Sequence, residues 1–141
     1  MIDGSRRAPY RLGIMSRPRP VVLLVEDNTE TRDALCRLLG LRGYDPIGVR
    51  DGDEAWEWLR SEMPPDLIVL DLLLPGSLGG EDLAAALAAH PEFDRIPVVA
   101  YTAAPDGSRQ HFDAFIRKGA DSADALLETV AAFVPDVEPR R

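Results

Sequence analysis

The chain is almost without lysine. It has one, Lys118, against fifteen arginines in 141 residues. Arginine presents a rigid planar fork, whereas lysine carries a compact point charge on a flexible stem. A lone lysine in such a background marks a place where that compact ammonium is needed. Cysteine is equally scarce. Cys36 has no partner for an internal disulfide, which fits a reducing cytoplasm and excludes a disulfide-stapled scaffold. The longest apolar runs are five to seven residues, too short to span a membrane. The N-terminus has arginines but no apolar core segment, which excludes a secretory signal. No Gly-x-x-x-x-Gly-Lys loop is present for a nucleoside triphosphate. The segment Glu26-Asp-Asn-Thr-Glu30 is too acidic to cradle a flavin phosphate.

Hydrophobic residues make up 45% of the chain, enough for one domain with a real core. The net charge is −8. Residues 1–19 carry five arginines and one acid, Asp3, so the leader is basic and the body more acidic than the total suggests. An acidic body is a poor direct binder of nucleic acid. Three segments are expected: a disordered arginine-rich leader at 1–19, a domain at 20–134, and a tail at 135–141. Met15 would begin the domain equally well. Nothing after the last helix is long enough for an output domain, so output is expected through a protein contact or onward group transfer.

Apolar runs alternate with segments of helical period, which predicts βαβ units and a parallel sheet. Strands are expected at Val21–Val25, Pro46–Val49, Leu67–Leu70, Ile96–Tyr101 and Phe112–Ile116. Helices are expected from Asn28 or Thr29 to about Gly43, at Asp51–Ser61, at Glu81–His90 and at Ser122–Phe133. The expected fold class is α/β, a flavodoxin-like sheet with helices on both faces, and strand order 2-1-3-4-5 is taken as the working arrangement. The nine residues Ala103–His111 are short for a parallel crossover, which usually needs a dozen or more. A turn or two of helix is the most they hold, so the helix at that point is short or absent.

Four strand ends carry chemistry. Glu26 and Asp27 follow the first strand, Asp71 the third, Thr102 the fourth and Lys118 the fifth. In an open parallel sheet, ligands bind beyond the carboxyl ends of the strands, where strand order reverses. That brings Asp27 and Asp71 face to face with Glu26 beside them. Three carboxylates so close repel one another. Mg²⁺ relieves this, because it favours a few carboxylates, keeps several waters and accepts phosphate oxygens. Asp71, expected to lie deepest, can act as a nucleophile toward phosphorus. Lys118 would share the developing charge and Thr102 would hydrogen-bond a phosphoryl oxygen. His90 and His111 fall away from these ends and are expected at the surface. Trp56 is expected to pack inward, Trp58 to be partly exposed, and Cys36 to be a small buried helix residue.

The motifs Val-Glu26-Asp27-Asn, Leu-Asp71-Leu-Leu-Leu-Pro75, Tyr-Thr102-Ala103 and Lys118, in this order, resemble the receiver domain of two-component response regulators. The likeness is to the single-domain, chemotaxis-type architecture and extends over about residues 20–134. It implies that Asp71 accepts a phosphoryl group from a histidine kinase or histidine phosphotransfer protein. It implies Mg²⁺ held by Asp27, Asp71 and the backbone carbonyl of Leu73, with Glu26 helping through water. It gives Thr102 and Lys118 contacts to the phosphoryl group and Phe115 the aromatic switch position, although Phe115 serves equally well as core. A downstream target protein, a homodimer as one option, a cytoplasmic location, and neither nucleic acid binding nor membrane insertion complete that picture. The chain is expected to be a phosphoacceptor rather than a free-standing enzyme. Asp71-Leu72-Leu73 lacks the second aspartate of the haloacid dehalogenase phosphatases.

Two positions depart from the pattern. Lys118 is followed by Gly119 where the family usually has proline, and the fourth crossover is short. These features are the case for an alternative, a pseudo-receiver acting as a constitutive interaction or dimerisation module. Leu73 and Ala104, two residues after Asp71 and Thr102, are apolar and flank the expected path of attacking water. A long-lived phosphoryl state is therefore expected, shortened by Leu73→Asn with Ala104→Glu.

Overall fold

The computed structural model describes residues 19–104 and 109–134. The elements in chain order are β1 (Val21–Val25), α1 (Thr29–Leu41), β2 (Asp45–Val49), α2 (Gly52–Ser61), β3 (Leu67–Leu70), α3 (Gly80–Ala89), β4 (Val98–Thr102), β5 (Ala114–Arg117) and α4 (Ser122–Phe133). The five strands are parallel, as the alternation of patterns predicted, and stand in the expected order β2-β1-β3-β4-β5.

Side chains alternate across a strand, and the central strands are apolar on both faces. Val22 and Leu24 of β1, with Leu67 and Val69 of β3, pack under Leu35 and Leu39 of α1 and Leu126, Leu127 and Val130 of α4. Leu23, Val25, Ile68 and Leu70 point the other way, under Ala55 and Leu59 of α2 and Leu83 and Leu87 of α3. The continuous run Val21–Val25 thus reads as a strand covered on both sides. Asn28 caps α1, its side chain accepting from the Thr31 amide at 2.8 Å. Asp51 caps α2 through the Glu54 amide at 2.8 Å, and Gly43 leaves α1 at a φ of 98°, where a Cβ is penalised.

Two strands begin later than expected. The carboxylate of Asp113 accepts the Val98 amide at 2.8 Å, and the Asp113 amide donates to the Val98 carbonyl at 2.8 Å. This polar anchor sets the starts at Val98 and Ala114, not Ile96 and Phe112. Phe112 instead closes a turn onto the Arg109 carbonyl. The fourth strand also runs one residue further, taking in Thr102. Between β4 and β5 the described residues contain no helix. Residues 105–108 lie outside the described residues, as do 1–18 of the leader and 135–141 of the tail.

Gly80 opens α3 where the helix meets the end of β3. A Cβ there would run into the Asp71 carbonyl and Leu72 Cα, both backbone. Only glycine allows this approach. Gly80→Ala is expected to lower unfolding free energy by about 1–3 kcal/mol, the usual cost of overpacking. Urea denaturation checks this, and wild-type stability would contradict the packing described.

Candidate functional site

Strand register assembles the site. Val25 pairs with Leu70, so the next residues, Glu26 and Asp71, emerge side by side. The Glu26 amide is held by the Val49 carbonyl at 3.0 Å and the Asp71 amide by the Val25 carbonyl at 3.1 Å. Thr102 pairs with Arg117, and the Lys118 amide donates to the Thr102 carbonyl at 2.9 Å. Acid, acid, hydroxyl and amine therefore leave one edge of the sheet together.

Lys118 Nζ lies 2.7 Å from Glu26 Oε1 and 3.1 Å from Asp71 Oδ2. The second oxygen of Asp71 accepts the Leu73 amide at 3.0 Å, and that of Glu26 accepts the Asn28 amide at 3.1 Å. Glu26 is 2% exposed and Asp71 5%. The expectation that Asp71 sits deepest is thus corrected, because Glu26 turns back under the loop it begins. Burial opposes charge on Lys118, but hydrogen bonds and attraction from Glu26 and Asp71 outweigh it and raise its pKa above the ordinary lysine value. The ammonium stays charged across neutral pH.

One ligand atom each from Glu26, Asp27 and Asp71 lies within 4.8 Å of the others. Such a group of oxygens could be drawn together onto one divalent cation. Three carboxylates against one ammonium leave a formal charge of −2, matched by a divalent cation. Hard oxygen donors and balanced charge fit Mg²⁺. Asp27 is exposed, leaving one side of the cluster open to solvent.

The remaining predicted residues are placed differently. Thr102 is buried, its hydroxyl accepting the Ala104 amide at 3.1 Å. Phe115 is half-buried, with the Arg109 guanidinium 4.3 Å from its ring centroid and Phe112 edge-on at 6.3 Å. Leu73 is 58% exposed, whereas Ala104 is buried. His90 is a correction. It is half-buried, its ring 5.0 Å from that of Trp56 and its Nδ1 2.9 Å from the Ala86 carbonyl. His111 is half-buried too, in the turn before β5. Trp56 and Trp58 both pack partly against the core. Cys36 is only half-buried, and burial pushes its thiol pKa up.

Sequence reasoning missed two neighbours. The Arg32 guanidinium donates to the Glu26 carbonyl at 2.8 Å, and Lys118 Nζ sits 5.6 Å from the centroid of the Tyr101 ring. Arg32, six residues after Glu26 on the first turn of a capped helix, was open to inference. Tyr101 was not, since a residue before a strand's end reads as core.

Comparison with known proteins gives the same picture. The family model described as "Response regulator receiver domain" matches residues 22–134. The polar-differentiation response regulator DivK of Brucella anthropi is 33% identical over 121 residues, covering 82% of this chain and 96% of that protein. The CAI-1 autoinducer sensor kinase/phosphatase CqsS of Vibrio cholerae is 32% identical over 127 residues, covering 84% of this chain. The chain spans 18% of that kinase's length and 6% of a second matched histidine kinase's. Among solved structures, response regulator TrrA of Thermotoga maritima in complex with Mg(2+)-BeF superposes with a TM-score of 0.72 at 25% identity. That match covers 82% of this chain and 99% of that one.

Proposed function

The chain belongs to the response regulator receiver domain family of two-component systems, and from that premise we propose that Asp71 is its phosphoacceptor. The observation that carries this is the contact of a buried aspartate with the chain's only lysine, beside two further carboxylates. In the proposed reaction the donor is a phosphohistidine of a histidine kinase or phosphotransfer protein. A carboxylate oxygen of Asp71 forms the new phosphorus–oxygen bond as the phosphorus–nitrogen bond breaks, and the imidazole keeps the electron pair. Lys118 is already aimed at Asp71 Oδ2 and stabilises charge on the transferring group. Glu26 holds Lys118 from the other side, at the shorter of its two contacts. Glu26, Asp27, Asp71 and the Leu73 carbonyl would hold Mg²⁺, which when bound neutralises the carboxylates and withdraws charge from phosphoryl oxygens.

The output is proposed to be a change in a protein-binding surface, through Thr102 and Phe115. Among the described residues no helix is long and apolar enough to cross a membrane; a cytoplasmic location and a downstream protein target are part of what is proposed. The domain bounds 20–134 and the homodimer option belong to the same proposal. The reading is tested by incubation with acetyl phosphate. One phosphoryl adduct is expected with Mg²⁺ and none with excess chelator. A protein that stays unmodified in Mg²⁺ would instead be the constitutive interaction module.

Leu73 presents an apolar, exposed side chain beside Asp71. Leu73→Asn is expected to hasten loss of the phosphoryl group on the order of tenfold, by giving the attacking water a hydrogen-bond partner. Ala104 is the poorer site for this test, because it is buried. Adduct decay followed by intact mass measures the effect, and an unchanged or slower decay would count against it.

A further inference from the structure

We propose that Tyr101 and Ser122 are positioning residues for Lys118, joined to it by a closed circuit of hydrogen bonds and ring contact. This deepens the phosphoacceptor reading and rests on it for its functional consequence. The Lys118 backbone is pinned by its amide to the Thr102 carbonyl at 2.9 Å. The next residue, Gly119, donates its amide to Ser122 Oγ at 3.1 Å, and the Ser122 amide returns to the Gly119 carbonyl at 3.1 Å. Ser122 Oγ lies 2.7 Å from the Tyr101 hydroxyl. The Tyr101 ring in turn lies 5.6 Å from Lys118 Nζ, within reach of a cation–π contact. The path thus leaves Lys118 through its backbone and returns to its ammonium.

Each atom in the path has a reason to hold. Tyr101 and Ser122 are both buried, so their hydroxyls need partners inside the protein. A serine oxygen accepts two hydrogen bonds and donates one, which covers both Gly119 and Tyr101. The Gly119 donor is a backbone N–H that proline would lack. Glycine at 119 sits in open space, with nothing within 4 Å of an added Cβ. Residue 119 itself thus adds no side-chain packing, and the turn is held by its backbone hydrogen bonds together with the Ser122 hydroxyl. The linkage runs from β4 to α4 and encloses the turn that carries the ammonium to Glu26 and Asp71.

Because Lys118 is the only lysine, a sample labelled with ¹³C-lysine reports on this side chain alone. The wild-type protein is expected to give inequivalent ε-methylene protons, shifted from those of a free lysine. In Ser122→Ala they are expected to collapse toward the free position. Labelling by acetyl phosphate at saturating Mg²⁺ is expected to fall about tenfold, as for a displaced catalytic group. Ser122→Thr, which keeps the hydroxyl, is expected to retain the wild-type spectrum and rate. Tyr101→Phe keeps the ring and removes one bond, so it gives an intermediate result and stands in if Ser122→Ala does not fold. Wild-type lysine signals in Ser122→Ala, or in Tyr101→Phe where that variant stands in, would overturn the proposal. An unmodified wild-type protein would instead defeat the phosphoacceptor reading, while the lysine spectrum would still decide whether the circuit holds.

Discussion

Replacing Asp71 by alanine is expected to abolish phosphoryl uptake while leaving the fold intact. Asp71 contacts Lys118 by one oxygen and the Leu73 amide by the other. Glu26 makes the same two kinds of contact, to that ammonium and to the Asn28 amide, but it is more deeply buried, so it is the poorer nucleophile. Stability is expected to change by no more than about 1 kcal/mol, because removing one of three clustered anions also removes repulsion, a common trade at functional sites. Mg²⁺ affinity should fall with the loss of a ligand. Intact mass after acetyl phosphate treatment, with a urea melt on the same sample, measures both. Residual labelling at the wild-type rate would mean that another group accepts the phosphoryl.

Lys118→Ala is the second large effect, and it should separate binding from chemistry. The ammonium donates to the carboxylates of both Glu26 and Asp71. Without it the cluster holds three carboxylates unopposed. A divalent cation should then bind more tightly, on the order of tenfold, since one nearby repelling charge has gone. Phosphoryl transfer should nevertheless slow about 100-fold, the typical cost of deleting a preorganised donor. Calorimetric titration with Mg²⁺ and the acetyl phosphate rate together test this. Weaker metal binding with a normal rate would show that Lys118 supports the metal site only. Lys118→Arg should not restore the rate. A planar fork is a poor match for the space between Glu26 Oε1 and Asp71 Oδ2, which a single Nζ bridges at 2.7 and 3.1 Å.

The strand-end logic was legible because strands one and three are uninterrupted apolar runs. Val21–Val25 and Leu67–Leu70 were bounded correctly by their first polar neighbours, which are the site residues themselves. The helix after Asp121 was equally clear, with Pro135 marking its end. The start of β4 was misread because Ile96 and Pro97 look like strand residues, while the anchor is a side-chain bond from Asp113, fifteen residues away. Such a non-local contact leaves no local signal. His90 was expected at the surface because it falls away from the carboxyl ends of the strands. It is drawn inward by Trp56 of α2 and by Phe93 of the turn that follows α3. The same limit hid the bond between Tyr101 and Ser122. Each residue is unremarked in its own segment, and only the packing of α4 on β4 joins them.

The most direct test is to identify the modified residue itself. Brief treatment with acetyl phosphate and Mg²⁺, followed by borohydride reduction, converts an acyl phosphate to an alcohol and leaves homoserine at the labelled position. Peptide mapping is predicted to find homoserine at Asp71 and nowhere else. Homoserine at Asp27 or at another acid, or none at all despite intact Mg²⁺ binding, would contradict the assignment of Asp71 as the phosphoacceptor.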